Sequence, residues 1–143
     1  GYTHKHGNTG KIVKDVRNLK NNNPKIINPV ITSMGNLTNY AKQAILKGDF
    51  KKVGELMNIN HGFLDVLGVN TLELSRMVYV ARGAGAIGSK ITGAGGGGSI
   101  IALCPDKVNE VARAINKSDN VLKIRFTRKG VSSRVYEWFK WLF

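Results

Sequence analysis

The scarcity of several residue types already excludes some protein classes. Cys104 is the only cysteine among 143 residues, so an internal disulfide is impossible, and we expect a buried thiol in a reducing, cytoplasmic setting. No apolar run is long enough to span a bilayer, and the opening GYTHKHGNTGK lacks the apolar segment of a signal peptide. Nine acidic residues stand against 22 lysines and arginines, which gives a net charge of +13. Such a chain attracts anions such as nucleotides and phosphorylated metabolites.

Two further binding classes are disfavoured by the positions of particular residues. Basic residues are spread over helix faces and are rarely interleaved with aromatic ones, so nucleic-acid binding is not expected. His4 and His6 lie two positions apart without a third ligand, so no metal site is predicted. His61 is predicted to be a packed histidine rather than a catalytic base. Asp65 and Asp106 are predicted to lie on a helix surface and at a helix cap.

Helical periodicity dominates the first 85 residues. Four helices are predicted, with these limits: 8–21 capped by Asn8 or Thr9, from Asn28 and Pro29 to Gly48, from Asp49 to Gly68, and from Asn70, with Glu73 in a capping box, to about Gly85. The inward faces are predicted from apolar residues at helical spacing, among them Ile31, Ile45, Phe50 and Leu72.

The hydrophobic period changes after residue 85. Short apolar stretches at 87–92 and 99–104 predict two strands on either side of a glycine-rich loop, and a helix capped by Asp106 follows. Alternation across 122–127 predicts a half-buried strand, and 131–135 a last one. The order is four helices and then β-loop-β-α-β-β, a single α+β domain over residues 1–135. The aromatic tail 136–143, YEWFKWLF, is predicted to be an addition to it.

The loop is the most informative stretch of the sequence. Five of the six residues from Gly93 to Gly98 are glycine, with Ala94 as the exception. A glycine run is entropically costly, and its apolar strand-like flanks argue against a flexible linker. We therefore expect a backbone loop that receives an anionic group or lets another chain segment come very close.

Three common glycine motifs do not fit the surroundings of this loop. Gly93, Gly95 and Gly98 match G-x-G-x-x-G, but a dinucleotide site needs a helix directly afterwards, and the apolar strand-like SIIALC follows instead. A Walker loop needs Gly-Lys-Ser/Thr at its end, where this chain has Gly98, Ser99 and Ile100. The lysine strand and catalytic loop of protein kinases are not found either.

The segment KITGAGGGG resembles the third motif of the GHMP kinases. The longer stretch 58–103, with INHGFLDVLGV upstream of the loop, is similar to the mevalonate-kinase branch of that family, and the basic, asparagine-rich composition is similar to archaeal members. The opening GYTHKHGNTGKIVKDVR resembles the family's entry into its C-terminal domain, so the resemblance covers residues 1 to about 135.

The resemblance implies a GHMP C-terminal domain with an antiparallel sheet, from an enzyme that uses ATP and Mg²⁺ to phosphorylate the 5-hydroxyl of mevalonate. It also implies that the ATP loop and the catalytic Asp lie in an N-terminal half, so no catalytic residue is predicted in this chain and the isolated chain is expected to be inactive. That half is the expected partner, and a homodimer is left open. The residues predicted near substrate or nucleotide are Gly93, Ala94, Gly95, Gly96, Gly97, Gly98, Lys90, Thr92 and Thr9.

The chain departs from the family pattern at Ser99, where mevalonate kinases usually have cysteine. Four alternatives remain open at this point. Lys90 is equally well read as a solvated strand lysine, and Thr9 as a plain helix cap. Another GHMP kinase, such as a phosphomevalonate or homoserine kinase, is the closer alternative, since the third motif is shared and only the upstream helices favour mevalonate. The chain is also compatible with a non-catalytic anion-binding module.

Overall fold

The computed structural model describes residues 1–3, 5, 7–117 and 119–124. Five helices and two strands lie in this part of the chain, and their bounds are α1 Thr9–Asn22, α2 Pro24–Lys47, α3 Phe50–Val66, α4 Leu72–Gly83, β1 Gly88–Thr92, β2 Ser99–Leu103 and α5 Val108–Ile115. The predicted order of four helices followed by β-loop-β-α is confirmed. The predicted strand 131–135, the tail 136–143 and the histidines His4 and His6 lie outside the described residues.

β1 and β2 form an antiparallel pair in which Gly88 lies opposite Leu103 and Thr92 opposite Ser99. Residues 1–3 lie along β2, since Tyr2 bridges Ser99 on one side and Asn120 on the other. The glycine loop connects β1 to β2 and is therefore flanked by this N-terminal segment.

Two apolar clusters support the sheet and the helices. The main core joins one face of the sheet to α4 and α5, and its fully buried members include Leu74, Val78 and Ile91. A smaller cluster joins α1 and α2 to Leu67 and Val69, which follow α3. Cys104 packs against the main core but is only partly buried, and this burial raises the pKa of its thiol. Within the described part of the chain, no helix is both long and apolar enough to cross a membrane.

Some helix limits follow the predicted capping signals. The Asn8 side chain accepts a hydrogen bond from the Lys11 amide, and Asp49 caps α3 through the Lys52 amide. Gly48 ends α2 with a φ of 71°.

Other predicted limits are wrong because a neighbouring residue provides a better cap or an earlier start. The α2 helix begins at Pro24 rather than at Asn28 or Pro29, so Pro29 lies inside it. Asn23 is the only residue between the end of α1 and the start of α2. Thr71 rather than Asn70 caps α4, through the Leu74 amide. Lys107 occupies the cap position of α5 without a side-chain hydrogen bond, so Asp106 is not its cap.

Several apolar side chains predicted to face inward are exposed. Leu72 is 83% exposed at the first position of α4, and the others are Ile31, Ile45 and Phe50. The described part of the predicted strand 122–127 also differs. Residues 121–124 are not a strand, and Leu122 and Ile124 are 86% and 73% exposed. Among the described residues of this segment, the bridge between Asn120 and Tyr2 is the last strand pairing, and Lys123 donates to the Asn109 side chain.

Candidate functional site

An open pocket of about 370 Å³ lies on one side of the glycine loop. It is lined by Gly7, Thr9, Thr92, Gly93, Ala94, Gly95, Gly97, Gly98 and Ser99. The structure therefore brings together the N-terminus of α1, the end of β1 and most of the predicted loop residues. None of the nine described lining residues carries a charge.

The loop has a conformation that requires glycine. Gly93, Gly95, Gly96, Gly97 and Gly98 all have positive φ, between 67° and 135°, whereas no described non-glycine residue does. Left-handed backbone is sterically costly for residues with a Cβ atom. The glycine run thus allows the positive φ angles of the loop and does not act as a flexible spacer.

One side of the loop packs closely against other segments of this chain. A Cβ atom added to Gly95 would lie 2.3 Å from the carbonyl oxygen of Val69, and one added to Gly97 would lie 2.7 Å from that of Lys5. The Gly96 amide donates to Val69 O, and the Gly98 amide donates to Lys5 O, both at 2.8 Å. Close approach of chain segments, one of the two predicted roles, is therefore present within this domain.

The N-terminal segment secures the loop from the other end. The buried Thr3 donates its amide to Gly98 O at 2.8 Å, and the Gly98 amide reaches Thr3 Oγ1 at 3.0 Å. The Lys5 ammonium forms an ion pair with Glu73 in the first turn of α4, and that hydrogen bond lowers the pKa of Glu73 to about 2. These contacts tie the loop to α4 as well as to β2.

The N-terminus of α1 opens onto the same pocket. Thr9 is its first residue, and no acidic residue lies in its first turn. The helix dipole and the first-turn amides favour anions at such an end. The cap of α1 is therefore Asn8 and not Thr9, and Thr9 lies in the same pocket as the loop.

Lys90 does not line the pocket with the other predicted residues. Its side chain is partly buried, its Nζ donates to Ile91 O at 2.7 Å, and burial lowers its pKa. Thr92, two residues later, is exposed and lines the pocket. A contact between Lys90 and a ligand therefore stays a prediction.

His61 is buried on α3, with 5% of its surface exposed, in agreement with the packed histidine that was predicted. Its Nδ1 atom hydrogen-bonds to no described residue. Burial, followed by the nearby charge of Arg82, lowers its pKa, so the neutral form is favoured in the folded state. The exposed Asp65 accepts a hydrogen bond from Asn70.

Sequence reasoning missed the side chains that support β1. Asn58 on α3 and Arg82 on α4 both bind the backbone of Ser89. Periodicity and motif arguments give no signal for them, because an asparagine and an arginine within helices read as ordinary surface residues. Among the described residues, no group of three or more His, Cys, Asp or Glu side chains could hold a metal ion.

Comparison with known proteins places this arrangement in a family. Residues 41–120 match the family described as GHMP kinases C terminal. The mevalonate kinase of Pyrococcus abyssi is 48% identical over 137 residues, which are 92% of this chain and 41% of that protein. The mevalonate kinase of Thermococcus gammatolerans is 52% identical over 120 residues, or 80% of this chain and 36% of that protein.

Solved structures show the same similarity. The crystal structure of L. major mevalonate kinase in complex with R-mevalonate has a TM-score of 0.78 and 29% identity, over 82% of this chain and 36% of that one. The Methanococcus jannaschii mevalonate kinase has a TM-score of 0.67 and 28% identity, over 82% of this chain and 35% of that one. The chain thus spans 36% to 41% of the curated relatives described above. The resemblance read from the glycine loop is confirmed, and since the family match covers more than half of the sequence, this chain belongs to the GHMP kinases and carries their C-terminal domain.

Proposed function

We propose that this chain forms the C-terminal wall of a site in which a mevalonate kinase transfers the γ-phosphoryl group of ATP to the 5-hydroxyl of mevalonate. The observation that carries the proposal is the shared pocket between the open side of the glycine loop and the N-terminus of α1. The similarity to relatives named mevalonate kinase selects the substrate. The rest of the site is contributed by the part of those enzymes that this chain does not cover, including the catalytic Asp.

The pocket suits a phosphorylated ligand for electrostatic reasons. Phosphoryl transfer depends mainly on positioning and on stabilisation of negative charge. Peptide amides of the loop and the dipole of α1 both favour that charge, and no carboxylate among the described lining residues repels it. The high net positive charge adds long-range attraction for ATP.

Three residues that line the pocket carry hydroxyl groups, namely Thr9, Thr92 and Ser99. We assign Thr9 to the substrate side, at the start of α1, and Thr92 to the nucleotide side, at the mouth of the glycine loop. Both hydroxyls can donate to phosphate or alcohol oxygens. Gly96 contributes through its packing against Ile12 rather than by lining the pocket.

Magnesium accompanies ATP in the proposed reaction, but the described residues do not fit a magnesium site. Mg²⁺ prefers carboxylate and phosphate oxygens, and no carboxylate lines the pocket or belongs to a metal-holding cluster in the described part of the chain. No step of the mechanism is therefore assigned to the metal through these residues.

The test is a chimera in which this chain replaces the matching segment of the Pyrococcus abyssi mevalonate kinase. We expect ATP-dependent phosphorylation of mevalonate by the chimera and none by the 143-residue chain alone. A Thr92→Val chimera should show weaker ATP binding, whereas Thr38→Val, on the exposed surface of α2, should not.

Three outcomes would contradict the proposal. Turnover by the isolated chain would place the catalytic groups in this chain. A folded but inactive chimera would argue for a non-catalytic anion-binding module. A chimera that prefers phosphomevalonate or homoserine would assign the chain to another GHMP kinase.

A further inference from the structure

β1 has two edges, and among the described residues only one of them is covered by a strand. Hydrogen bonds to β2 occupy one edge, whereas the other edge faces α3 and α4. Ser89, at the centre of this second edge, has no exposed surface. Without side-chain partners from α3 and α4, the amide and carbonyl of Ser89 would have no hydrogen bond to water or to a strand. Such unpaired groups are unfavourable when buried.

Asn58 of α3 satisfies part of this edge. Its Oδ1 accepts from the Ser89 amide at 3.0 Å, and its Nδ2 donates to Ile87 O at 3.3 Å. A single side-chain amide thus offers the donor and acceptor that a neighbouring strand would supply.

The close approach of α3 to β1 depends on two glycines. A Cβ atom added to Gly54, one turn before Asn58, would lie 2.6 Å from Ile87 O. One added to Gly88 would lie 2.5 Å from the backbone of Gly54. The helix is therefore near enough for a short asparagine side chain to reach the strand.

Arg82 of α4 completes the hold on Ser89. Its Nη2 donates to Ser89 O at 2.8 Å, and Ser89 Oγ donates to Val78 O at 3.0 Å. In the described part of the chain no carboxylate pairs with Arg82, and burial lowers the pKa of its guanidinium. A partly buried arginine that binds a backbone carbonyl instead of a carboxylate is an energetically demanding way to fill this edge.

We propose that Asn58 and Arg82 are positioning residues, which hold Ser89 from the edge opposite β2 and thereby fix the path of β1 into the glycine loop. Ser89 lies three residues before Thr92, where the pocket begins. Neither side chain lines the pocket, so both act through the strand. The consequence for phosphoryl transfer rests on the proposed function, whereas the consequence for the order of the loop does not.

The first experiment measures amide hydrogen exchange in the complete 143-residue chain. In Asn58→Leu, whose side chain has the same branched shape but no polar atoms, we expect exchange at Ser89 and at the glycine amides of the loop to be about tenfold faster or more. Asn58→Asp keeps an acceptor for the Ser89 amide and should retain most of the protection there. The matched controls are Asn39→Leu and Arg17→Met, both on exposed helix surfaces.

The second experiment measures kcat and KM for ATP in the chimera described above. We expect Asn58→Leu and Arg82→Met to lower kcat about tenfold, since a misplaced wall impairs positioning, with a smaller change in KM. Arg82→Lys keeps one donor and should recover part of the rate. If the leucine or methionine variants do not fold, Asn58→Asp and Arg82→Lys provide the same comparison with milder changes.

The outcomes separate this proposal from the proposed function. Faster exchange at Ser89 with unchanged exchange in the loop overturns the positioning role, whether or not the chimera is active. An unchanged kcat in folded variants of an active chimera overturns it as well. An inactive chimera with unsubstituted residues counts against the proposed function, and the exchange measurements then decide the positioning role alone.

Discussion

The two sides of the glycine loop have similar backbone angles but different surroundings. Gly93 and Gly95 have φ values of 83° and 85°. A Cβ atom added to Gly95 would lie 2.3 Å from Val69 O, whereas one added to Gly93 would meet nothing within 4 Å. Position 95 needs glycine for both its backbone conformation and the lack of space, whereas position 93 needs it for the backbone conformation alone.

This difference shows how one motif combines two functions. The packed side, at Gly95, Gly96 and Gly97, fastens the loop to α1, to the N-terminal segment and to the turn after α3. The open side, at Gly93, is left for a ligand, whereas the backbone of Gly98 is already bound to Thr3 and Lys5. A loop that is rigid on one side can present its amides on the other with little loss of entropy on binding.

The largest expected effect comes from Gly95→Ala. The new methyl group meets a backbone oxygen that cannot move without shifting Val69, and φ is unfavourable as well. We expect the free energy of unfolding to fall by about 3 kcal/mol or more, measured by urea denaturation. Gly35→Ala in α2, where nothing lies within 4 Å, is the control and should be stabilising by about 0.5–1 kcal/mol. Equal losses in the free energy of unfolding for Gly95→Ala and Gly35→Ala would contradict the close packing of Gly95 against Val69.

Gly93→Ala should have an intermediate effect, because only the backbone conformation is strained. We expect a loss of about 1–2 kcal/mol by the same measurement. Gly93→Asn should lose less, since asparagine tolerates positive φ better than alanine does. A loss at Gly93→Ala as large as that at Gly95→Ala would contradict the difference between the open and the packed side.

The buried His61 is expected to make the stability of the fold depend on pH. Its folded-state pKa is lowered by burial and by Arg82 and Lys90, while Asp65 opposes the shift. Its contribution to stability is therefore fully present above the unfolded pKa of about 6.5 and is lost as pH falls below that value. We expect His61→Gln to flatten the decline of the melting temperature below pH 6.5. The variant retains His4 and His6, so parallel curves for both proteins would contradict this assignment.

The smallest effect is expected at the surface tether between Lys5 and Glu73. The pKa of Glu73 is about 2, so the ion pair is lost only as pH falls from about 4.5 towards 2. Exposed pairs contribute little and are screened by salt, so Glu73→Gln should change the melting temperature only slightly, and not at all in 1 M NaCl.

A second surface pair provides the control for this tether. Glu55 pairs with Lys52 within α3, on the surface. Glu73→Gln should speed amide exchange at Gly98, which is bound to Lys5 O, whereas Glu55→Gln should not. Equal exchange at Gly98 in both variants would show that the ion pair does not steady the loop.

Much of the local structure could be predicted from the sequence, because its causes are local. Asn8, Asp49 and Gly48 act within one helical turn of the residues they cap, so their roles were predicted correctly. Errors arose where two neighbouring residues competed for one role. Thr71 rather than Asn70 caps α4, since Asn70 is engaged by Asp65 and Ser75.

Burial was harder to predict than secondary structure. Leu72 has the right helical spacing but is the first residue of α4, where 83% of its surface stays exposed. Leu122 and Ile124 alternate as in a strand, but alternation forms a strand only where a free edge receives it. The exposure of Leu122 and Ile124 therefore could not be predicted from their neighbours in the sequence.

A glycine loop between two strands at residues 93–98, and the resemblance of that loop to a GHMP kinase motif, could be recognised from the sequence alone. Backbone angles of glycine and strand propensity are local properties, so they can be read from the chain. Which glycines touch Val69 and Lys5, and which remain open beside Thr9, follows from the packing of the helices and strands. The same packing brings Asn58 and Arg82 together at Ser89. Such contacts join residues far apart in sequence, and their geometry exists only after the helices have packed against β1.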